Sequence, residues 1–181
     1  MHPRPSKGLT VIHFESLVNR YRGRIYGYAC HYLGDAEEAA DVTQEVLIRM
    51  WNRRDDIEES RLLGWVLRVT KNACIDAIRK RNAYQRRVAT SLEAVEMKSD
   101  PAPGPDREAS SNLFRERLGA ALRALDEPYR SIVILREIEE YKYEEISEAL
   151  ELPLNTVKVY LHRGRKALRK ELSEISGNEY A

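Results

Sequence analysis

The chain has 181 residues, and its 30 Lys and Arg residues nearly balance its 29 Asp and Glu residues, which leaves a net charge of +1. This length allows one core of ordinary size or two small ones. The sequence has no apolar run near the ~18 residues of a membrane span, no apolar signal-peptide region and no cysteine pair at metal-ligand spacing. We therefore expect a soluble, cytoplasmic protein without membrane insertion, metal or cofactor. The near-neutral balance also argues against a protein that coats nucleic acid without selectivity.

The N-terminal part of the chain predicts three helices. Apolar residues within Phe14–Tyr32 recur every three or four positions, which is the period of an amphipathic helix. Gly34 can end this helix, because glycine adopts the left-handed conformation at little cost, and Asp35 then stands at the cap of a second helix. After the polar stretch "RRDDIEESR", a third helix is predicted over Leu62–Arg81, with Cys74 on its apolar side as a core residue.

The composition changes after the third helix. The stretch "SDPAPGPDREASSN" has three prolines and one glycine and little to bury, which predicts a flexible linker at residues 91–112. Helical periods resume at Leu113, and the sequence shows no convincing strand and no internal repeat. The expected fold class is therefore all-α, with two small helical domains at residues 8–90 and 113–175 joined by the linker.

The segment "LPLNTVKVYLHRGRKALRK" near the end of the chain carries six Lys or Arg residues, one His and no acid. Two predicted helices, Ile146–Leu150 and Val157–Leu168, are separated by the short break "ELP", which is the layout of a helix-turn-helix. The second helix would enter the major groove of DNA, with its apolar face packed on the first. The alternative is an ordinary amphipathic helix whose basic residues suit its C-terminal dipole; the preceding helix and turn favour DNA binding.

The third helix presents a second basic face. Arg68, Lys71 and Asn72 lie on its polar side, and Trp65 stands near its start. Cations, an amide and an aromatic ring together suit single-stranded DNA, in which an unstacked base can be held. The alternative for Trp65 by itself is a place in the core.

The second helix is acidic, in contrast to the two basic faces. Asp41, Gln44, Glu45 and Arg49 follow one edge of it at spacings of three and four. Like charges at such spacing repel, and a basic partner surface would relieve the repulsion. This edge therefore predicts a protein partner and not DNA.

Two long motifs carry a resemblance to a known family. "DAEEAADVTQEVLIRMW" and "LLGWVLRVTKNACIDAIRKR" resemble region 2 of bacterial sigma factors, and "LDEPYRSIVILREIEEYKYEEISEALELPLNTVKVYLHRGRKALRKEL" resembles their region 4. With only a short linker between them, the pattern is similar to the extracytoplasmic-function (ECF) group of the sigma-70 superfamily. The resemblance covers residues 10–87 and 113–172.

The resemblance implies an alternative sigma factor that binds core RNA polymerase and directs it to promoter DNA, with no catalytic residue of its own. The family's D-x-x-Q-E motif falls on Asp41, Gln44 and Glu45, which would dock on the polymerase. The residues implied at the −10 element as single strand are Asp56, Arg61, Trp65, Arg68, Lys71 and Asn72. The residues implied at the −35 duplex are Arg136, Asn155, Thr156, Lys158, Val159, His162, Arg163 and Lys166. An anti-sigma factor is implied as a further partner.

The chain departs from the family pattern at several of these positions. Family members commonly have Ser-Arg after Thr-Val-Lys, where this chain has Val159–Tyr160. An apolar side chain thus replaces a polar one and a cation is lost, which predicts an altered −35 preference. Family members also often have an aromatic residue where Leu62–Leu63 stands, and glycine where Glu151 and Asn155 stand.

Two rival functions are consistent with a helix-turn-helix. A stand-alone transcriptional regulator would bind its operator without core polymerase and would not need the acidic helix. A site-specific recombinase with a helix-turn-helix tail would need a reactive centre. The sequence has no P-loop, no metal-ligand cluster and no nucleophile beside a base, which disfavours the enzyme.

Overall fold

The computed structural model describes residues 11–91 and 106–177, and within them it contains seven α-helices, one π-helical segment and no strand. In chain order the elements are α1 (Val11–Leu33), α2 (Ala36–Asn52), α3 (Glu59–Ser91), α4 (Asp106–Ala124), α5 (Tyr129–Val133), the π-helical segment (Ile134–Ile138), α6 (Tyr143–Leu150) and α7 (Leu154–Gly177). The predicted all-α fold class is confirmed. Residues 106–112 of the expected linker belong to α4, and residues 92–105 lie outside the described part of the chain.

Helices α1 to α3 form the N-terminal bundle. Gly34 ends α1 with a φ angle of +73°, in the left-handed region that glycine adopts without a Cβ clash. Asp35 caps α2, because its Oδ1 atom accepts a hydrogen bond of 2.8 Å from the backbone N–H of Glu38. Both signals therefore act as the sequence predicts. Cys74 of α3 is fully buried and is therefore a core residue, as predicted. Burial also raises the pKa of its thiol, which disfavours the reactive thiolate.

Helices α4 to α7 and the π-helical segment form the C-terminal bundle. The buried side chains of Ile132, Ile146 and Leu161 come from three of its helices and meet in one core. Gly164 of α7 lies so close to α5 that an added Cβ atom would meet Val133 Cγ2 at 2.8 Å. This close approach fixes the rotation of α7 about its own axis.

The two bundles pack against each other through α1, which contacts α4 and the π-helical segment, and through α3, which contacts α6. The buried hydroxyl of Tyr28 lies 2.9 Å from Ser131 Oγ, and the hydroxyl of Tyr32 donates to Glu127 Oε1 at 2.8 Å. Ser131 in turn donates its single hydroxyl proton to Glu127, so Tyr28 is the donor to Ser131. Burial is the main reason that the pKa of each tyrosine is raised, which keeps both phenols protonated. The two bundles thus share one hydrophobic core in this conformation.

Within residues 11–91 and 106–177, each helix is too short or too polar to cross a lipid bilayer.

Candidate nucleic-acid interface

A cleft of about 720 Å³ opens beside the first turns of α3. We call it the α3 cleft. One wall comes from the N-terminal bundle and the other from α6 and the turn after it. Its lining residues from the N-terminal bundle are Arg53, Asp56, Ile57, Glu58, Arg61, Gly64, Trp65 and Arg68, and those from the C-terminal bundle are Ser147, Glu148 and Glu151. Four of the residues predicted at the −10 element therefore share one cavity, and they are Asp56, Arg61, Trp65 and Arg68.

The loop between α2 and α3 shapes the rim of this cleft. Its backbone turns on itself, because the N–H groups of Asp56 and Ile57 both donate to the carbonyl of Arg53, at 3.0 and 3.2 Å. Arg54 anchors the loop to α2: its guanidinium lies 4.3 Å from the centre of the Trp51 ring and donates to the Trp51 carbonyl. The loop is thus held in a tight turn that presents Asp56 to the cavity.

Lys71 and Asn72 lie farther along α3 and do not line the cleft. Arg53 does line it, although the sequence analysis did not single it out. The signal for Arg53 was present in the charge-rich loop "RRDDIEESR", but nothing local distinguishes it from the neighbouring arginine. The side chain of Trp65 is half-buried, so one part of it packs in the core while another faces the cavity.

Acidic residues of the C-terminal bundle reach into the cleft. Arg68 donates to the carboxylate of Glu151, and the side chain of Glu148 lies over Gly64, where an added Cβ atom would meet it at 3.0 Å. Glu151 ends α6 with a φ angle of +55°, in the left-handed region that glycine prefers. In this conformation Glu148 and Glu151 line the same cavity as Arg68, a cation that the sequence analysis predicts to contact DNA.

Helix α7 exposes most of its predicted DNA-contacting residues. Six of the eight residues predicted at the −35 duplex are exposed, and they are Asn155, Lys158, Val159, His162, Arg163 and Lys166. Thr156 is half-buried. Arg136 is also half-buried, and its guanidinium donates to the carbonyl of Tyr141 at 2.8 Å and lies 4.8 Å from the centre of the Tyr143 ring. In the free chain Arg136 therefore braces the turn before α6.

Two other basic residues of α7 have acidic partners within the fold. Arg165 Nη2 lies 2.7 Å from Glu137 Oε1, and hydrogen bonding to Glu137 raises the pKa of the guanidinium. Lys170 Nζ lies 3.5 Å from Glu174 Oε1. Both pairs are largely exposed, so they contribute little to stability, and phosphate can compete for them.

The acidic edge of α2 forms a separate surface. Asp41 and Gln44 are exposed, while Glu45 is half-buried and accepts a hydrogen bond from Arg49. A groove between α1 and α2, of about 620 Å³, runs beside Gln44. Next to this edge Ile48 is 59% exposed, which the sequence analysis missed. Its spacing of three or four positions from the predicted docking residues was the available signal, since such positions share a helix face.

Comparisons with known proteins identify the family of this chain. The family model for sigma-70 region 2 matches residues 17–84, and the model for sigma-70 region 4 matches residues 115–168. The ECF RNA polymerase sigma factor SigW of Bacillus subtilis is 33% identical over 168 residues, which cover 90% of each chain. The chain belongs to the ECF sigma factors. This factor therefore binds core RNA polymerase and directs promoter-specific initiation of transcription, as the sequence analysis predicts, and the stand-alone regulator is disfavoured.

Two further proteins are similar to this ECF sigma factor. The ECF sigma factor SigE of Mycolicibacterium smegmatis is 32% identical over 167 residues, which are 90% of this chain and 63% of that longer protein. A solved structure of the sigma factor RpoE with the anti-sigma factor NepR from Bartonella quintana aligns with a TM-score of 0.68 at 21% identity. The alignment covers 90% of this chain and 98% of that one, and it supports the all-α fold.

Proposed function

We propose that the chain divides its work as a sigma factor among three surfaces. The docking edge (Asp41, Gln44 and Glu45) binds core polymerase, the α3 cleft holds a flipped base of the −10 non-template strand, and the exposed face of α7 reads the −35 duplex. The observation that carries this proposal is the clustering of Asp56, Arg61, Trp65 and Arg68 around one cavity. A cavity with cations and an aromatic ring suits an unstacked base and its phosphate.

Each of the three proposed roles is a binding step and not a catalytic one. Opening a promoter requires unstacking of base pairs, which costs a few kcal/mol for each flipped base. Contacts in the cleft offset this cost, and the phosphate contacts of α7 add affinity without sequence information. Among the described residues no group of His, Cys, Asp and Glu side chains could hold a metal ion. From its membership of the ECF sigma factors, we propose that the factor is not an enzyme and acts in the cytoplasm, where RNA polymerase works.

The packing of the two bundles against each other limits the access of DNA to the α3 cleft. Glu148 and Glu151 form part of the cleft wall and place two carboxylates where an anionic strand would pass, so we propose that α6 moves away from α3 when a DNA strand enters. The exposed face of α7 and the docking edge stay accessible in the same conformation. We propose that docking on core polymerase separates the bundles and thereby opens the cleft.

We propose that an anti-sigma factor regulates this chain. The sigma factor RpoE was solved with the anti-sigma factor NepR, and its fold is similar to that of this chain. A partner that holds α1 to α3 against α4 to α7 would keep Glu148 and Glu151 in the wall of the cleft. Its basic or apolar groups would compete with core polymerase for the acidic docking edge.

The test of the proposed function is a gel shift of promoter DNA with and without core polymerase, followed by run-off transcription. We expect weak or absent binding by the chain alone, and specific binding and a defined start site with core. Tight and specific binding without core would instead support the stand-alone regulator. If the chain neither binds a promoter nor starts RNA in the presence of core, the proposed function is wrong.

A further inference from the structure

Val159 occupies an unusual place on the outward face of α7. The inward face is fixed, because Leu161 is 2% exposed and the Tyr160 ring packs edge-on against Tyr129 with 5.5 Å between the ring centres. With the helix rotation set in this way, Val159 points outward and is 48% exposed. Among the described side chains of α6 and α7, it is the one large hydrophobic residue that is exposed.

Packing and helix formation give no reason for valine at this position. The side chain lies outside the hydrophobic core, and a β-branched residue is a poorer helix former than Ala, Arg or Lys. A single exposed apolar residue is common on protein surfaces and by itself implies nothing. The surroundings of Val159 make the difference: Lys158 precedes it, and His162 and Arg163 follow one turn later on the same exposed face.

The cations around Val159 determine what this face can approach. If Lys158 and Arg163 bind the phosphates of a polyanion, Val159 between them lies within contact distance of the surface that the phosphates flank. In a DNA major groove that surface consists of base edges, and the apolar group on those edges is the C5-methyl of thymine. Val159 also lies in the N-terminal half of α7, and that half of a recognition helix contacts bases.

We propose that Val159 is a specificity-determining residue of this sigma factor, whose methyl groups pack against the C5-methyl of one thymine in the −35 duplex. The proposal rests on the proposed function of α7 as the −35 recognition helix. Uracil forms the same base pair without the methyl group, so it isolates the contact. Burial of one methyl group corresponds to about a fourfold change in affinity.

The experiment uses the full chain with core polymerase. A promoter library with a randomised −35 duplex is first selected for binding, and each selected thymine is then replaced by uracil. We expect one replacement to lower the affinity of the wild-type complex about fourfold and to leave that of Val159→Ala unchanged. Val159→Thr, which keeps one methyl group, should lie between them. Lys158→Ala is the matched control: it should bind more weakly overall yet retain the uracil effect.

Each other outcome has a defined meaning. An equal uracil effect in the wild type and Val159→Ala, or no uracil effect at any position, overturns the inference while the selected −35 sequence still supports the function of α7. Failure of the wild-type complex to select any −35 sequence overturns both. Thermal unfolding of Val159→Ala should occur at the wild-type temperature or slightly above it, because the removed methyl groups lie outside the core and alanine is the better helix former.

Discussion

Arg68 of α3 forms an ion pair with Glu151, which ends α6 at the turn of the helix-turn-helix. The two residues are 83 positions apart in the sequence and belong to different bundles. Their side chains are 39% and 68% exposed, so the pair by itself stabilises the fold by no more than about 1 kcal/mol. Its importance lies in its location, because both residues line the α3 cleft.

The cleft should become more accessible when its acidic residues are neutralised. We expect Glu148→Gln with Glu151→Gln to raise the affinity of the free chain for single-stranded −10 DNA by up to about fivefold, since the exposed ion pair of Glu151 with Arg68 contributes about 0.2–1 kcal/mol. Fluorescence anisotropy with a labelled oligonucleotide measures the change. Glu144→Gln is the control, because Glu144 is exposed on the same helix but does not line the cleft. Equal affinities for all variants would show that the carboxylates do not obstruct DNA.

The docking edge can be tested without disturbing the core. Gln44→Ala with Glu45→Ala should lower the affinity for core polymerase by about tenfold, or 1.4 kcal/mol, which is within the range of an interface residue that matters. Surface plasmon resonance measures the affinity, and the melting temperature should stay within a few degrees of the wild type. Glu116→Ala on the exposed side of α4 serves as the control. An unchanged affinity for core polymerase in the double variant would show that α2 is not the docking helix.

Substitutions on the exposed face of α7 should distinguish residues that contact bases from residues that contact phosphates. We expect Lys158→Ala and Arg163→Ala to weaken −35 binding by polymerase holoenzyme by roughly 1–3 kcal/mol each if they read bases, with a loss that depends on the promoter sequence. A phosphate contact would instead weaken all sequences alike and reduce the salt dependence. Arg165→Ala should have a smaller effect, because this guanidinium is already paired with Glu137. Full −35-dependent transcription by both of the first two variants would contradict the orientation of α7.

Two glycines in helices form a matched test of the packing between α5 and α7. In Gly164→Ala the new methyl group would meet Val133 Cγ2 at 2.8 Å, and overpacking of this kind costs about 1–3 kcal/mol. The better helix propensity of alanine returns up to about 1 kcal/mol, so we expect a net loss on the order of 1 kcal/mol. Gly23→Ala has no atom within 4 Å of the new methyl group and should be stabilising by up to about 1 kcal/mol. Urea unfolding compares them, and Gly164→Ala with wild-type stability would show that α7 is not held closely.

The contact between Glu139 and α1 should make stability depend on pH. Burial raises the pKa of the Glu139 carboxyl, and the nearby charges of His31 and Arg24 offset this only in part. Because the folded chain holds this proton more tightly than the unfolded chain, this contribution to stability is fully present below the unfolded pKa and is lost as the pH rises through the raised pKa.

Glu139→Gln should remove this dependence. Its free energy of unfolding relative to the wild type should rise as the pH increases through the raised pKa of Glu139, because the ionised carboxylate carries a desolvation cost that the amide lacks. Urea titrations across a pH series measure the difference. Glu140→Gln is the adjacent control, since Glu140 is exposed. If the free energy of unfolding changes with pH in the same way for the wild type and Glu139→Gln, Glu139 is not the source of the pH dependence.

The local structure and the two family motifs could be predicted from the sequence. The helical periods, the left-handed Gly34 and the Asp35 cap depend on residues a few positions apart, so their physical causes are visible in a short window of sequence. The inward face of α7 was predictable for the same reason. The positions of the two domains in the sequence stay a prediction, although α4 begins inside the expected linker.

The way in which the two bundles meet, and the set of charges that remain accessible, depend on the packing of whole helices. The buried contact between Tyr28 and Ser131 joins residues 103 positions apart, and Arg68 finds Glu151 across 83 positions. Arg136 and Arg165 carry the same charge in the sequence as the exposed Arg163, yet each has a partner within the fold. No periodicity encodes these partners, because a long-range contact depends on how whole helices pack and not on the residues beside it.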